Sequence, residues 1–340
     1  MKHFNIFLLS VFVAFASCSF TTKTFDNPDK DKLLMQLVTY LLDQGHFQPK
    51  DFNDEFSEEV YTRFLKTVDP YKHYFYQSDI KEFENYKTDL DDQIKNYDVQ
   101  FFNLVYERLT QRIDESKAVY SDVLAQPFNY DLDETYQSDT DQLDFVSSKK
   151  QMMDRWRKQL KFSTLSNYHD LLTENESEDI AEQKTAAELE EKARTSTLNN
   201  LQEISVYFDD MRRDDWLSMY INAISESFEP HTFYFAPQDK DRFDAQMSGR
   251  YEGIGARLQK RMDKTSITEL ISGGSAWRQN KLQVGDIILK VRQEDEEEAV
   301  SVVGMRLDDA VKLIKGPKGT NVILTLKRVD GTIEDLSITR

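Results

Sequence analysis

Near residue 250 the sequence places two glycines around one isoleucine, Gly253-Ile254-Gly255-Ala256, and continues into alternating Ala256 and Leu258. Glycine reaches turned backbone conformations closed to other residues, so successive N–H groups can be aimed into one concave nest. Such a nest takes an anion. A strand that follows it can also pair with a peptide, so the fitting anion is a peptide's terminal carboxylate. The N–H groups of Ile254, Gly255 and Ala256 are the expected donors, each contributing about 1.5–3 kcal/mol where water is kept out. Arg250 or Arg257 would add Coulomb attraction. The peptide's last side chain needs an apolar slot, and Ile254, Leu258, Leu307, Val311 and Ile314 are its expected lining. Residues 307, 311 and 314 fall on one face of a helical stretch. The same residues would also serve as plain domain core, and a groove that is core left open on one side satisfies both readings.

Other candidate chemistry is weaker. Ser78-Asp-Ile-Lys81 fits an S-x-x-K pattern, but no S-D-N or K-T-G accompanies it, and a capping serine with a solvated lysine explains it. Gly316-Pro-Lys-Gly-Thr320 has the wrong order and spacing for a phosphate loop. Asp131, Asp133 and Thr135 begin like a calcium loop, yet Tyr136 stands where glycine is required. His3, His46, His73, His169 and His231 form no ligand pair, so no metal or cofactor is expected. No Ser/His/Asp arrangement is visible.

The elements that must hold the nest can be read by period. After a polar linker, the three-to-four spacing of a helix runs for about two hundred residues. The expected helices are 32–42, 56–68, 80–97, 99–124, 149–172, 185–211 and 216–228, with Ser78, Ser148 and Asp214 as N-caps. From Gly253 the period changes to that of strands, at 266–271, 287–291, 322–327 and 332–338. Two short helices, near Ser275 and over Leu307–Ile314, lie between them, and Asp330-Gly331 is a hairpin turn. The expected fold class is α+β, a large all-α part followed by a small β domain. A net charge of −18 argues against a nucleic-acid surface, which needs clustered Lys and Arg.

The N-terminus reads as a processing signal. Lys2 precedes the apolar run Ile6 to Ala16, which is too short to span a bilayer comfortably. Cys18, the only cysteine, follows Phe15-Ala16-Ser17 and resembles the lipidated cysteine of a bacterial lipobox, although Phe15 stands where Leu is usual. Simple cleavage near Ala16, leaving a soluble protein, is the alternative. Either reading exports the chain.

Four blocks now stand in order: Asp69-Pro70, Glu229-Pro-His-Thr232, the Gly-Ile-Gly loop with Ser272-Gly-Gly-Ser275, and Val284-Gly-Asp-Ile-Ile288. Together they resemble the bacterial C-terminal-processing (tail-specific) serine peptidases, with a helical N-terminal region and a PDZ domain. Glu229 replaces the usual Asp of that family. The resemblance implies a PDZ domain built as a small β-barrel or sandwich with two short helices. It implies residues 1–17 as a signal peptide of lipoprotein type, 18–29 as a linker, 30–245 as the helical domain and 246–340 as the PDZ domain. It further implies a serine endopeptidase that binds C-terminal tails of protein substrates, with a Ser–Lys dyad beyond Arg340, so that this stretch alone holds no catalytic residue. Its expected place is the periplasm, anchored to the membrane by lipid or soluble, with an adaptor as a further expected partner and nucleic acid excluded. The competing class is a non-catalytic exported PDZ peptide-binding protein. One test comes from the leader. Cys18→Ala should move the mature protein from a membrane pellet to the soluble fraction, and an unchanged distribution would favour simple cleavage.

Overall fold

Helical periodicity builds the first two thirds of the computed structural model, which describes residues 28–179, 182–249 and 253–340. The expected export signal, Cys18 and Arg250 lie outside the described residues. The helices are α1 (Pro28–Tyr40), α2 (Asp54–Val68), α3 (Gln77–Phe83), α4 (Leu90–Lys95), α5 (Gln100–Leu124), α6 (Lys149–Glu176), α7 (Ala186–Asp210), α8 (Arg213–Phe228) and α9 (Pro237–Ser248). The single helix expected over 80–97 is two, α3 and α4, separated by a 3₁₀ turn at Glu84–Tyr86. Thr88 and Asp89 follow that turn, and both residue types favour local side-chain bonding over helix interiors. Ser148 caps α6 as expected, accepting from Gln151 N. Ser78 and Asp214 do not cap; they sit inside first turns whose N-caps are Tyr76 and Arg212.

Aromatic residues hold this part together. Phe64 of α2, Phe101 and Phe102 of α5 and Tyr220 of α8 are almost fully buried in one cluster. Tyr220 meets Phe64 edge-on at 5.0 Å and stacks on Phe102 at 5.8 Å. A second cluster joins Tyr120 and Leu124 of α5 to Met152, Trp156 and Leu160 of α6, with Leu198 and Leu201 of α7 against it.

The last third is one antiparallel sheet in the order β1-β2-β3-β5-β6. Its strands are β1 (Ala256–Arg261), β2 (Lys264–Leu270), β3 (Ile287–Gln293), β5 (Asn321–Lys327) and β6 (Ile333–Thr339). A two-residue strand β4 (Val300–Ser301), which the pattern of residues did not signal, pairs with β3. Helices α10 (Ser275–Gln279) and α11 (Leu307–Ile314) complete it. This part has its own core, with Ile267, Ile288, Val291, Leu324 and Ile338 at its centre.

Both acid-Pro turns are braced by their acids. Asp69 is buried and accepts from the N–H groups of His73, Tyr74 and Phe75 at 2.8, 3.1 and 3.0 Å. Glu229, despite its extra methylene, still accepts from His231 N at 2.9 Å and from Thr232 Oγ1 at 3.2 Å. The longer acid thus still caps its turn. Burial pushes the Asp69 carboxyl up to about 6, against the pull of its N–H donors. Burial and the nearby Arg155 charge hold the His73 imidazole down, to about 3. The signs are opposite. Asp69 contributes stability at low pH that is lost as pH rises through about 6, whereas His73 contributes stability at neutral pH that is lost as pH falls from 6.5 toward 3. The stability difference between the parent and His73→Phe should therefore vary by up to about 1.4 kcal/mol per pH unit in that window. Thermal denaturation at several pH values between 7 and 4 checks this; a constant difference would show that His73 is not held neutral.

Candidate peptide-binding groove

The nest begins with backbone that only glycine adopts comfortably. Gly253 has φ +138° and Gly255 has φ +74°. Gly255 is needed for a second reason. A Cβ on it would stand 2.8 Å from Gly274 Cα and 3.1 Å from Ser275 N, so the Ser272-Gly-Gly-Ser275 turn packs directly on the loop. The loop's carbonyls are turned into the domain, where Ile254 O accepts from Ala276 N at 2.7 Å and Gly255 O from Ile271 N at 2.9 Å. Among the described residues no backbone carbonyl outside regular elements takes the Ile254 or Gly255 N–H. That is the geometry of a loop whose donors are left for a ligand.

β1 leaves this loop and, among the described residues, pairs with β2 alone, so its other edge is open. α11 runs beside it in the opposite direction. Lys260 Nζ near the end of β1 reaches Gly304 O, just before α11, at 3.2 Å. At the other end, Lys315 Cγ lies 3.5 Å from where a Cβ on Gly253 would be. Strand edge, helix and loop thus form the two sides and closed end of a groove.

The predicted lining divides. Ala256, Leu258, Leu307 and Val311 are half-buried along the groove. Ile254 and Ile314 are only 3% exposed and belong to the core, as does Ala310. On α11, Leu307 and Val311 are half-buried, while Ala310 and Ile314, again four apart, are buried in the core. Ile254 and Ile314 form a floor beneath the slot rather than its walls.

Charges were less legible. Arg257 points away and pairs with Glu269 at 3.0 Å. Among the described residues Lys315, the first residue after α11, packs the stem of its side chain beside the loop, a cation that the sequence reading missed. Arg340 was missed too: its Nε donates to Ile314 O at 2.7 Å and its Nη2 to Gln293 Oε1 at 2.6 Å, fastening the end of α11. Asp286 of the Val-Gly-Asp block is fully buried and accepts from Gln283 N at 2.8 Å and from Arg328 at 2.5 Å. Ser78 and Lys81 are both exposed on α3. Between them Asp79 is buried; although burial raises its pKa, hydrogen bonds from Arg112, Tyr76 N and Arg108 hold the carboxyl below its usual range.

The far end of the groove meets the helical part through ion pairs. Arg306 grips Asp215 with both η nitrogens at 2.6 and 3.0 Å, and Lys260 reaches both oxygens of Asp210 at 2.7 and 2.6 Å. Arg212 pairs with Asp309.

The profile of the tail-specific protease N-terminal domain matches residues 37–238, and that of the PDZ domain matches residues 244–327. The chain belongs to the tail-specific protease family. The tail-specific protease of Haemophilus influenzae is 28% identical over 304 residues, covering 89% of this chain and 41% of that protein. The carboxy-terminal processing protease CtpA of Bacillus subtilis is 32% identical over 137 residues, covering 40% of this chain and 28% of that protein. Among solved structures, the PDZ domain of a carboxy-terminal protease from Vibrio cholerae in complex with peptide is 47% identical, with a TM-score of 0.25, covering 26% of this chain and 92% of that one. The tail-specific protease relative from H. influenzae is much longer, and this chain spans about two fifths of it.

Two substitutions and one control separate the loop's roles in this family member. Gly255→Val should abolish binding of tail peptides, because Val meets both the φ of +74° and the Gly274 backbone. Lys315→Ala should weaken binding by about two- to fivefold, with a shallower salt dependence, as loss of one solvated charge does. Lys318→Ala should change nothing. Fluorescence anisotropy with a labelled tail peptide at two salt concentrations measures all three.

Proposed function

We propose that this chain is the front and tail-recognition part of an exported tail-specific serine endopeptidase, and that its groove captures the free C-terminus of protein substrates. The loop whose Ile254 and Gly255 N–H groups are taken, among the described residues, by no backbone carbonyl outside regular elements, at the head of an open strand edge, carries the reading. A tail with its carboxylate at Gly253–Ala256 runs antiparallel to β1, and its final side chain lies over Leu258 and Val311 above the Ile254–Ile314 floor. Family membership supports proteolysis as the purpose of capture, with hydrolysis carried out by a Ser–Lys dyad outside these residues. In such a dyad, burial lowers the lysine pKa so that it serves as base to the serine. The leader supports export, and Cys18 supports a lipid anchor in the periplasm, where stable attachment takes more than one acyl chain. No helix of the described residues is long and apolar enough to cross a membrane.

The test uses matched peptides ending in a small apolar residue, one with a free carboxylate and one amidated. Amidation should weaken binding about ten- to hundredfold, the value of charge-assisted hydrogen bonds in a site that excludes water. Val311→Asp should reject apolar tails by placing a charge over the slot. Equal binding of the free and amidated peptides would show that the loop does not hold a carboxylate.

A further inference from the structure

A cavity of about 480 Å³ opens where the groove meets the helical part, a size typical of ligand sites. Groove and cavity share a wall, because Leu258 and Leu307 belong to both. Across from them stand Val206 and Tyr207 of α7, Met211, and Met219 of α8, and Met262 closes the end. Of the acids that line it, Asp210 pairs with Lys260, Asp215 and Asp308 with Arg306, and Asp239 with Arg242, while Glu203 stands exposed beside Val206 and Tyr207. More apolar than polar surface faces the space, thioethers included. Three methionines make it adaptable, since an unbranched side chain repacks around different shapes.

We propose that this cavity is a second side-chain subsite, and that it selects tails carrying a large apolar residue about four to six positions before the free carboxylate. The inference rests on the groove reading above. α11 has eight residues and so is about 12 Å long, while an extended tail advances about 3.4 Å per residue. About four tail residues thus occupy the groove. The next ones, running antiparallel to β1, arrive beside Lys260, Arg261 and Met262, where α7 and α8 supply the opposite wall. Specificity then comes from the helical part as well as from the sheet.

Met262 points the same way independently. It is the first residue of the two-residue turn between β1 and β2 and has φ +53°. Glycine or asparagine ordinarily fills such a place, because other side chains are strained there. Met262 is also 45% exposed and absent from the domain core, so packing does not account for a long apolar side chain at a strained position. A wall for an incoming apolar residue does.

The experiment measures affinity of the full chain for nine-residue peptides that share their last three residues and differ at the fifth from the end, Leu or Ser. Leu should bind about tenfold more tightly or better. Met262→Asn and Tyr207→Ser should each reduce that preference to about twofold or less, while affinity for a four-residue tail stays unchanged. Met262→Asn should melt no lower than the parent, which separates a binding role from a structural one. Equal affinity for Leu and Ser peptides in the parent, alongside a strong effect of amidation, would overturn the subsite and leave the groove standing. A Leu preference that survives both variants would also overturn it. Indifference to both the upstream residue and amidation would overturn the groove and the subsite together.

Discussion

Two backbones meet at Gly255 and Gly274 with no side chain between them, and the binding end of the molecule depends on that contact. A Cβ on Gly274 would lie 3.0 Å from Gly255 Cα, and one on Gly255 is closer still to Gly274, so neither position has slack. Because the turn presses on the loop, Ala276 N and Ile271 N reach the loop carbonyls. Spending those carbonyls on the domain is what leaves the opposite, N–H side of the same peptide planes available. A looser contact would free the carbonyls to rotate outward, and a carboxylate would then face oxygens rather than donors. The energy of the contact itself is small; its effect lies in choosing which side of the loop faces the ligand.

The groove's other boundary is set by polar rather than apolar contact. The helical and sheet parts have separate cores, and the residues joining them are largely charged: Asp210, Asp215 and Arg212 against Lys260, Arg306 and Asp309. Partly exposed ion pairs of this kind contribute only about 0–1 kcal/mol each. Their value is geometric. The two-pronged Arg306–Asp215 pair fixes direction as well as distance, because the guanidinium fork matches a carboxylate in one plane. The start of α11 and the end of β1 are thereby held against α7 and α8, and the groove opens into a cavity instead of into solvent.

Within the helical part, the acid-Pro turns show how a local sequence signal acquires a tertiary role. Asp69 ends α2 and gathers three successive N–H groups, which delivers His73 to the face of Trp156 at 4.8 Å. Trp156 Nε1 in turn donates to His73 O at 3.2 Å. One carboxylate thus links the aromatic cluster of α2, α5 and α8 with that of α5, α6 and α7.

Much of the architecture was written in local pattern. Three-to-four spacing marked α5, α6 and α7, alternation marked β2, β3, β5 and β6, and the range of α11 was read without error, because each depends on period within one segment. The break between α3 and α4 was less visible, since their apolar residues keep a helical stripe across it. The glycines around Ile254 announced a turned loop, because positive φ is a property of the residue itself. Which side of that loop faces outward was not in the local pattern; it follows from Gly274, nineteen residues away, pressing on its back. Likewise, the division of α11 into a groove stripe and a core stripe depends on where β1 lies. Lys315 became the cation at the loop, and Arg340 the clasp on α11, only when chain remote in sequence was folded beside them. Sequence alone determined most of the elements and the turned loop, because both are short-range consequences of residue type. Tertiary structure decided the direction of the loop's donors, the identity of the nearby charge and the second wall of the groove, because each is a relation between segments that the chain brings together only by packing.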